Sequence, residues 1–176
     1  MDFKPRVTEV DLHKVQMEAE QAFRDVFFCC EAVLETIIKN FDLDVPHELI
    51  RMSTPMAVGA GKSGCMCGAA NGGIVALGLL FGRDEKRGPK DPEVVKCLGF
   101  SKELHDWFEA NNGKKATCCR VLTREFNMAE GEHKKQCVYF TGLCAWKVAE
   151  IIAREFGIKT VNPEVTLKTR EELYAA

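Results

Sequence analysis

Apolar residues recur at helical spacing over a long segment near the start of the chain, residues 12–41. The segment contains no proline or glycine, and its apolar positions fall on one side of an α-helix. This pattern predicts one continuous amphipathic helix, with Thr8 as its N-cap and an end between Asp42 and Pro46. One face of the helix is therefore expected to lie in a buried core.

The rest of the pattern predicts further helices separated by polar or glycine-rich turns. A short helix is expected at 47–52, and a longer one begins at Cys67 after a glycine-rich loop. Others are predicted at 93–110, with Gly99 as a candidate break, and after an N-cap at Thr117. The last long helix is expected at 133–156, with Gly157 as its C-terminal stop.

No segment shows the alternation of polar and apolar residues that is typical of a β-strand. The fold class is therefore predicted to be all-α, a helical bundle with a central Gly/Ala-rich helix. A chain of 176 residues fits a single domain over 1–176. Residues 160–176 are expected to form an extended C-terminal arm that contains one helical turn.

The segment 65–82 holds no charged residue and is close to the minimum length of a membrane-spanning helix. Its small residues Gly68, Gly72 and Ala76 are spaced so that a second helix can approach closely, in a membrane or in a soluble bundle. Asn71 and two cysteines interrupt the apolar run, and a charged stretch follows at once. We therefore predict the central helix of a bundle and no stable membrane span.

Composition narrows the setting in which the chain works. The chain is 46% hydrophobic, enough for a buried core without disulfides, and it contains nine cysteines. The charged N-terminus is not followed by an apolar signal segment, which predicts a cytoplasmic protein whose cysteines stay reduced. Its net charge of -2, with both signs mixed along the chain, gives no reason to expect a nucleic-acid partner.

Five cysteines lie at predicted helix seams or helix starts: Cys30, Cys65, Cys67, Cys119 and Cys137. Cys30 and Cys137 fall on the apolar faces of the first and last helices, where free cysteine often serves as a small hydrophobe. Cys67 and Cys119 are expected in the first turn of a helix, where the helix dipole and nearby lysines favour a thiolate. Four such sulfurs could meet at one end of the bundle, but helical phase does not choose between Cys119 and Cys118.

The remaining cysteines and the histidines have simpler interpretations. Cys29, Cys97 and Cys144 are each interpreted as small core residues. The chain has no paired C-x-x-C knuckles and no C-x-x-C-H motif, so zinc is less favoured and covalent haem is not expected. The four histidines stand among polar residues and are expected to be solvated. Gly61-Lys62-Ser63 is similar to the end of a phosphate-binding loop, but Met56 occupies the position of its first glycine.

The order of these motifs resembles that of the C-GCAxxG-C-C family of redox-active proteins over roughly 27–155. Cys67-Gly68-Ala69-Ala70-Asn71-Gly72 matches the family's CGAxxG motif, and Cys30-Glu31-Ala32-Val33-Leu34, Cys119-Arg120 and Cys137 stand in the order of its other cysteines. The resemblance implies redox activity and assigns the family's four cysteines to Cys30, Cys67, Cys119 and Cys137. It also points to a related domain of split-Soret cytochromes, in which an iron-sulfur site has been suspected.

Three functions stay open from the sequence. In the first, Cys30, Cys67, Cys119 and Cys137 ligate an iron-sulfur cluster, with Cys65 as an extra or substitute ligand, and electrons pass to a redox partner protein. In the second, a thiolate at Cys67 or Cys119 makes the chain a dithiol/disulfide oxidoreductase. In the third, the chain is a zinc-binding or purely structural helical protein. Any enzymatic activity is expected to be that of an oxidoreductase, and the small-residue helix favours a homodimer.

Overall fold

The computed structural model describes residues 3–174. Its helices are α1 (Leu12–Asp25), α2 (Cys29–Asn40), α3 (Ala57–Ala60), α4 (Gly68–Phe81), α5 (Pro92–Asn111), α6 (Cys119–Thr123), α7 (Lys134–Phe156) and α8 (Arg170–Tyr174). Two 3-10 helices, His47–Met52 and Thr54–Met56, precede α3. Residues 1–2 and 175–176, the start of the charged N-terminus and the end of the predicted arm, lie outside the described residues.

The fold is mostly helical, as the sequence predicts. Two short strands, β1 (Glu9–Asp11) and β2 (Lys159–Val161), pair in parallel with Val10 opposite Thr160. The sequence did not predict them, because three-residue strands are too short to show alternation. They join the segment before α1 to the segment after α7.

Helix α7 is buried nearly all round from Gln136 to Ala153, where it packs against α1, α2, α4 and α5. Gly157 ends α7 in the left-handed conformation, with φ of 65°, as predicted. The predicted bounds of α7 and of the 3-10 helix His47–Met52 are confirmed to within one residue.

Helix α4 is the Gly/Ala-rich inner helix, and it packs against α2, α5 and α7. A Cβ atom added at Gly72 would lie 2.3 Å from the backbone oxygen of Cys30 in α2. One added at Gly73 would lie 2.6 Å from Leu104 in α5 and 2.9 Å from Val148 in α7. Glycine is therefore required at Gly72, where the contacts are with backbone, whereas a larger residue at Gly73 would push the side chains of Leu104 and Val148 aside. Within residues 3–174, no helix combines the length and the apolarity that a membrane crossing requires.

The prediction of one continuous helix over 12–41 is wrong, because the chain breaks between α1 and α2. The backbone N–H groups of Val26 and Phe27 both donate to the carbonyl of Ala22, and the Glu31 carboxylate accepts a hydrogen bond from the N–H of Phe28 at 2.8 Å. Helix α2 then folds back against α1, so both halves of the apolar stripe face the core. Glu31 caps α2, and an acidic residue at this position favours a helix start.

Three smaller predictions also differ from the structure. Asp11, not Thr8, caps α1, and its carboxylate accepts a hydrogen bond from the N–H of Lys14 at 2.9 Å. Cys118, not Thr117, is the residue that precedes α6. Gly99 does not break α5, because it lies on an exposed face where helix packing tolerates it.

The C-terminal segment lies against α1 and α7. The buried Gln16 side chain accepts a hydrogen bond from the N–H of Thr166 at 3.2 Å and donates to its carbonyl at 3.4 Å. The N–H of Lys168 donates to the Tyr139 hydroxyl at 2.8 Å. Since Leu173 is buried, the helical turn α8 adds an apolar contact to these hydrogen bonds.

Candidate cysteine site

Four cysteines line one cavity of about 150 Å³ at one end of the bundle: Cys29, Cys67, Cys119 and Cys137. Each comes from the start of a different helix, since they stand at or near the N-termini of α2, α4, α6 and α7. Most of the other lining side chains are apolar, among them Phe23, Phe28, Val58 and Met128. The volume is several times the roughly 30 Å³ that one water occupies in the liquid, so the space could hold a multi-atom group.

Helices α2 and α4 meet directly beside Cys29. A Cβ atom added at Gly68, the first residue of α4, would lie 2.4 Å from the sulfur of Cys29. This glycine therefore lets the start of α4, with Cys67 as the residue before it, pack onto the start of α2. The two cysteines reach the same cavity because of that close approach.

A short antiparallel bridge brings Cys119 beside Cys67. The N–H of Cys67 donates to the carbonyl of Thr117 at 2.7 Å, and the N–H of Cys119 donates to the carbonyl of Cys65 at 2.5 Å. These two hydrogen bonds place Met66 opposite Cys118. The bridge thus fixes the loop before α4 to the loop before α6.

The segment 58–62, which includes three of the four residues of α3, is a left-handed turn. Its five residues have φ of 54°, 70°, 63°, 60° and 69°, although only Gly59 and Gly61 favour this conformation. A Cβ atom at Gly59 would lie 2.6 Å from the nitrogen of Cys65 and 2.8 Å from the Cβ of Cys119. The N–H of Val58 hydrogen-bonds the sulfur of Cys29. The turn therefore contacts three of the segments that carry cysteines.

Backbone N–H groups also point at Cys67, since those of Ala69 and Ala70 at the start of α4 hydrogen-bond its sulfur. Such N–H donors stabilise negative charge on sulfur, as the sequence-based expectation for a helix start requires. Burial is nevertheless the larger effect at this cysteine. It raises the pKa of the Cys67 thiol, and the neighbouring Cys29 raises it further.

The other cavity thiols are also held in the protonated form. Burial and the neighbouring cysteines raise the pKa of Cys119 to about 11, and the same two causes raise the pKa of Cys137. A hydrogen bond with Cys30, together with burial, raises the pKa of Cys29. The expectation that helix starts and lysines would favour thiolates at Cys67 and Cys119 is therefore wrong for the protein alone, because desolvation dominates.

The structure brings together three of the four cysteines that the resemblance assigns, Cys67, Cys119 and Cys137. Cys30 is fully buried and does not line the cavity, and Cys29, interpreted above as a core residue, does. The break before α2 explains the difference, because it makes Cys29 the first residue of a helix and not part of a long stripe. The sequence does show that Cys29 and Cys30 are adjacent, so either sulfur was a candidate for the cavity.

The auxiliary candidates lie outside the cavity lining. Cys65 is exposed, and the Cys118 thiol donates to the carbonyl of Gly64 at 3.1 Å. All nine cysteines are free thiols. Of Cys118 and Cys119, between which helical phase does not choose, Cys119 is the one that lines the cavity.

His133, expected from the sequence to be solvated, lines the cavity beside Lys134. Its Nδ1 is buried and has no hydrogen-bond partner among the described residues, and burial lowers the pKa of its imidazole. The sequence shows only polar neighbours for His133. Its place in the cavity lining depends on the packing of α7 against α4 and α6, which the sequence does not show.

Residues 3–174 contain no group of three or more His, Cys, Asp or Glu side chains that is arranged to hold a single metal ion. A single tetrahedral zinc would need four donors at about 2.0–2.3 Å from one point. An iron-sulfur cluster distributes its thiolate ligands over several iron atoms, so its ligands can stand further apart. The described residues therefore show no preformed site for a single zinc ion.

The fold and the cavity together define a helical protein with a four-cysteine site. The chain matches the family model described as "Putative redox-active protein (C_GCAxxG_C_C)" over residues 27–151, and it belongs to that family. The resemblance found in the sequence is thereby confirmed, and the family description supports a redox function. Comparisons with curated proteins and with solved structures give no match.

Proposed function

We propose that the protein binds an iron-sulfur cluster through Cys29, Cys67, Cys119 and Cys137 and transfers electrons to a partner protein. The observation that supports this most directly is the meeting of four thiols from four separate helix starts at one cavity. Four cysteine thiolates are the usual ligand set of iron-sulfur clusters. When bound, such a cluster supplies one-electron redox chemistry.

The chain's own residues fit this role in two ways. The apolar lining, which includes Phe23, Phe28 and Met128, would shield a cluster from bulk water. The N–H groups of Val58, Ala69 and Ala70 would donate hydrogen bonds to ligand sulfurs, and such bonds tune reduction potentials. Phe28 and Met128 are 48% and 37% exposed, so the cavity lies near the surface, where a partner can approach.

The state of the thiols favours cluster binding over a dithiol/disulfide oxidoreductase. A catalytic cysteine needs a lowered pKa, because the thiolate is the nucleophile. Burial instead raises the pKa of Cys67, Cys119 and Cys137. Thiols of this kind lose their protons when a bound cation replaces them, which is how metal ligation couples to deprotonation.

The cellular location and the oligomeric state of the protein are also proposals. We propose a cytoplasmic location, where a reducing pool would keep all nine thiols available. We also propose a homodimer, which light scattering of the purified chain would show as twice the monomer mass. A basic nucleic-acid-binding surface is not expected at a net charge of -2.

The test is anaerobic reconstitution of the full chain with ferrous iron and sulfide. We expect bound iron and sulfide together with a visible absorption band, because thiolate-to-iron charge transfer colours such clusters. Protein that stays colourless and free of iron after reconstitution would refute the proposal.

Adjacent cysteines provide the matched control for the ligand assignment. Cys29→Ala removes a cavity sulfur and is expected to lose most of the bound iron, whereas Cys30→Ala removes a buried sulfur outside the lining and is expected to retain it. Circular dichroism would show that both variants fold. Equal iron loss in both variants, or loss in Cys30→Ala alone, would contradict the assignment to Cys29.

A further inference from the structure

Cys65 stands directly opposite Cys119 in the bridge between the loops before α4 and α6. The pairing of Met66 with Cys118 sets the register, and it places Cys65 across from Cys119. Two hydrogen bonds hold this register, from the N–H of Cys119 to the carbonyl of Cys65 at 2.5 Å and from the N–H of Cys67 to the carbonyl of Thr117 at 2.7 Å. Both cysteines are free, and Cys65 is exposed.

The register gives the two cysteines a separation that suits a disulfide. Cys119 donates one backbone hydrogen bond to Cys65, whose own N–H donates to Gly59, and residues bonded across an antiparallel pair have Cα atoms about 5.5 Å apart. Disulfides span Cα separations of about 4.4–6.8 Å. Opposite residues of an antiparallel pair have their side chains on the same side, so the register favours Cys65 and Cys119 projecting together.

The left-handed turn packs against the backbone on both sides of this pair. Gly59 packs against both segments, so that an added Cβ would lie 2.6 Å from the nitrogen of Cys65 and 2.8 Å from the Cβ of Cys119. The N–H of Cys65 also donates to the carbonyl of Gly59 at 3.0 Å. The pair therefore does not depend on a chance encounter of two mobile loops.

We propose that Cys65 and Cys119 form a reversible disulfide in the cluster-free protein and that this bond withdraws Cys119 from the cavity's ligand set. Cys65 is thus a redox partner of a ligand and not a ligand itself. The cross-link stands on the bridge geometry alone, whereas its competition with a cluster rests on the function proposed above.

Glutathione disulfide is a suitable oxidant for this step. The exposed Cys65 thiolate attacks one of its sulfurs, forming a mixed disulfide and releasing one glutathione thiolate. Cys119 then attacks the sulfur of Cys65 as its thiol proton is lost to the departing glutathione, which forms the internal disulfide and releases the second glutathione. The two cysteines lose two electrons and two protons, and both glutathione molecules leave as thiols.

Mass mapping of the iron-free full chain after treatment with glutathione disulfide tests the cross-link. After alkylation of free thiols, trypsin should yield peptides 63–83 and 116–120 joined by a disulfide that dithiothreitol removes. Each peptide holds two cysteines, so variants assign the bond. We expect Cys65→Ser to lose the cross-link and Cys118→Ser, the matched control, to keep it. Its absence in the wild type, or its persistence in Cys65→Ser, would overturn the inference.

Iron uptake separates this inference from the proposed function. We expect oxidised wild-type protein to lose most of its iron uptake and to recover it after dithiothreitol, whereas Cys65→Ser should keep its uptake after the same treatment. If the disulfide forms but uptake is unchanged, the competition is wrong and the cluster proposal stands. If reduced protein takes up no iron, the cluster proposal fails, while mass mapping still decides the cross-link.

Discussion

Replacing Gly72 by alanine tests whether direct backbone contact between α2 and α4 positions the cysteines. The added Cβ would lie 2.3 Å from the backbone oxygen of Cys30 and 2.7 Å from its Cα. No side-chain rotation can relieve contacts with backbone atoms. The two helices must therefore separate by roughly 1 Å to reach ordinary van der Waals distances. Cys29 precedes Cys30 in α2, so its sulfur should shift relative to Cys67.

The matched control is Gly78→Ala in the same helix, because among the described residues no heavy atom lies within 4 Å of an added Cβ there. Alanine is favoured over glycine in a helix by about 1 kcal/mol, so this variant should gain about that much unfolding free energy. The same gain applies at Gly72, but overpacking a core costs about 1–3 kcal/mol or more. We therefore expect Gly72→Ala to be less stable than Gly78→Ala by about 1–3 kcal/mol.

Urea denaturation of both variants, with the wild type alongside, measures this difference directly. Iron uptake after anaerobic reconstitution is the second measurement, and it should fall in Gly72→Ala and stay at the wild-type level in Gly78→Ala. Equal stability of the two variants would show that the contact between α2 and α4 is not rigid. A loss of stability with unchanged iron uptake would show that this contact does not position Cys29.

Two further predictions concern the left-handed turn and a surface ion pair. Gly59→Ala and Gly61→Ala both place alanine at positive φ, but only Gly59 is crowded by neighbouring atoms. Gly59→Ala should therefore have the lower urea midpoint and the lower iron uptake of the two variants. Equal urea midpoints would contradict this expectation. Hydrogen bonds from Arg154 hold the pKa of Glu103 at about 2, below its usual 4.5. A lowered folded-state pKa adds stability above pH 4.5 that is lost as the pH falls towards 2. Glu103→Gln should therefore lower the unfolding free energy at neutral pH by less than about 1 kcal/mol, since the pair is exposed. Urea titrations should show this difference between variant and wild type disappearing in acid. A difference that does not depend on pH would contradict the ion pair as its cause.

The sequence predicted the elements whose limits are set by local features. The apolar face of the last helix and the terminal Gly157 predicted α7, and the polar turn before Pro92 predicted α5. The break between α1 and α2 could not be predicted in this way, because neither glycine nor proline marks it. It depends on α2 folding back onto α1, a tertiary contact that the order of apolar residues does not show.

The same break explains why the site was only partly predictable. Helical phase along a continuous stripe selects Cys30 as the inward residue, and Cys30 is indeed fully buried. A residue that is buried in the core does not necessarily face the cavity. Cys29, the first residue of α2, is the one that faces it. Cys67, which the sequence singles out by its motif and by a helix start after a glycine loop, lies at the cavity, and both of these signals are local features.

The left-handed turn beside the cysteine site carries backbone strain. Val58, Ala60 and Lys62 adopt positive φ without being glycine, a conformation that costs about 1–2 kcal/mol for an ordinary residue. Backbone strain of this kind persists only where the surrounding structure fixes it, and it concentrates at functional sites. Here the turn directs the N–H of Val58 at the sulfur of Cys29 and lets Gly59 pack against the segments of Cys65 and Cys119. A relaxed turn would lose these contacts together, so the strained conformation and the four-cysteine cavity depend on each other.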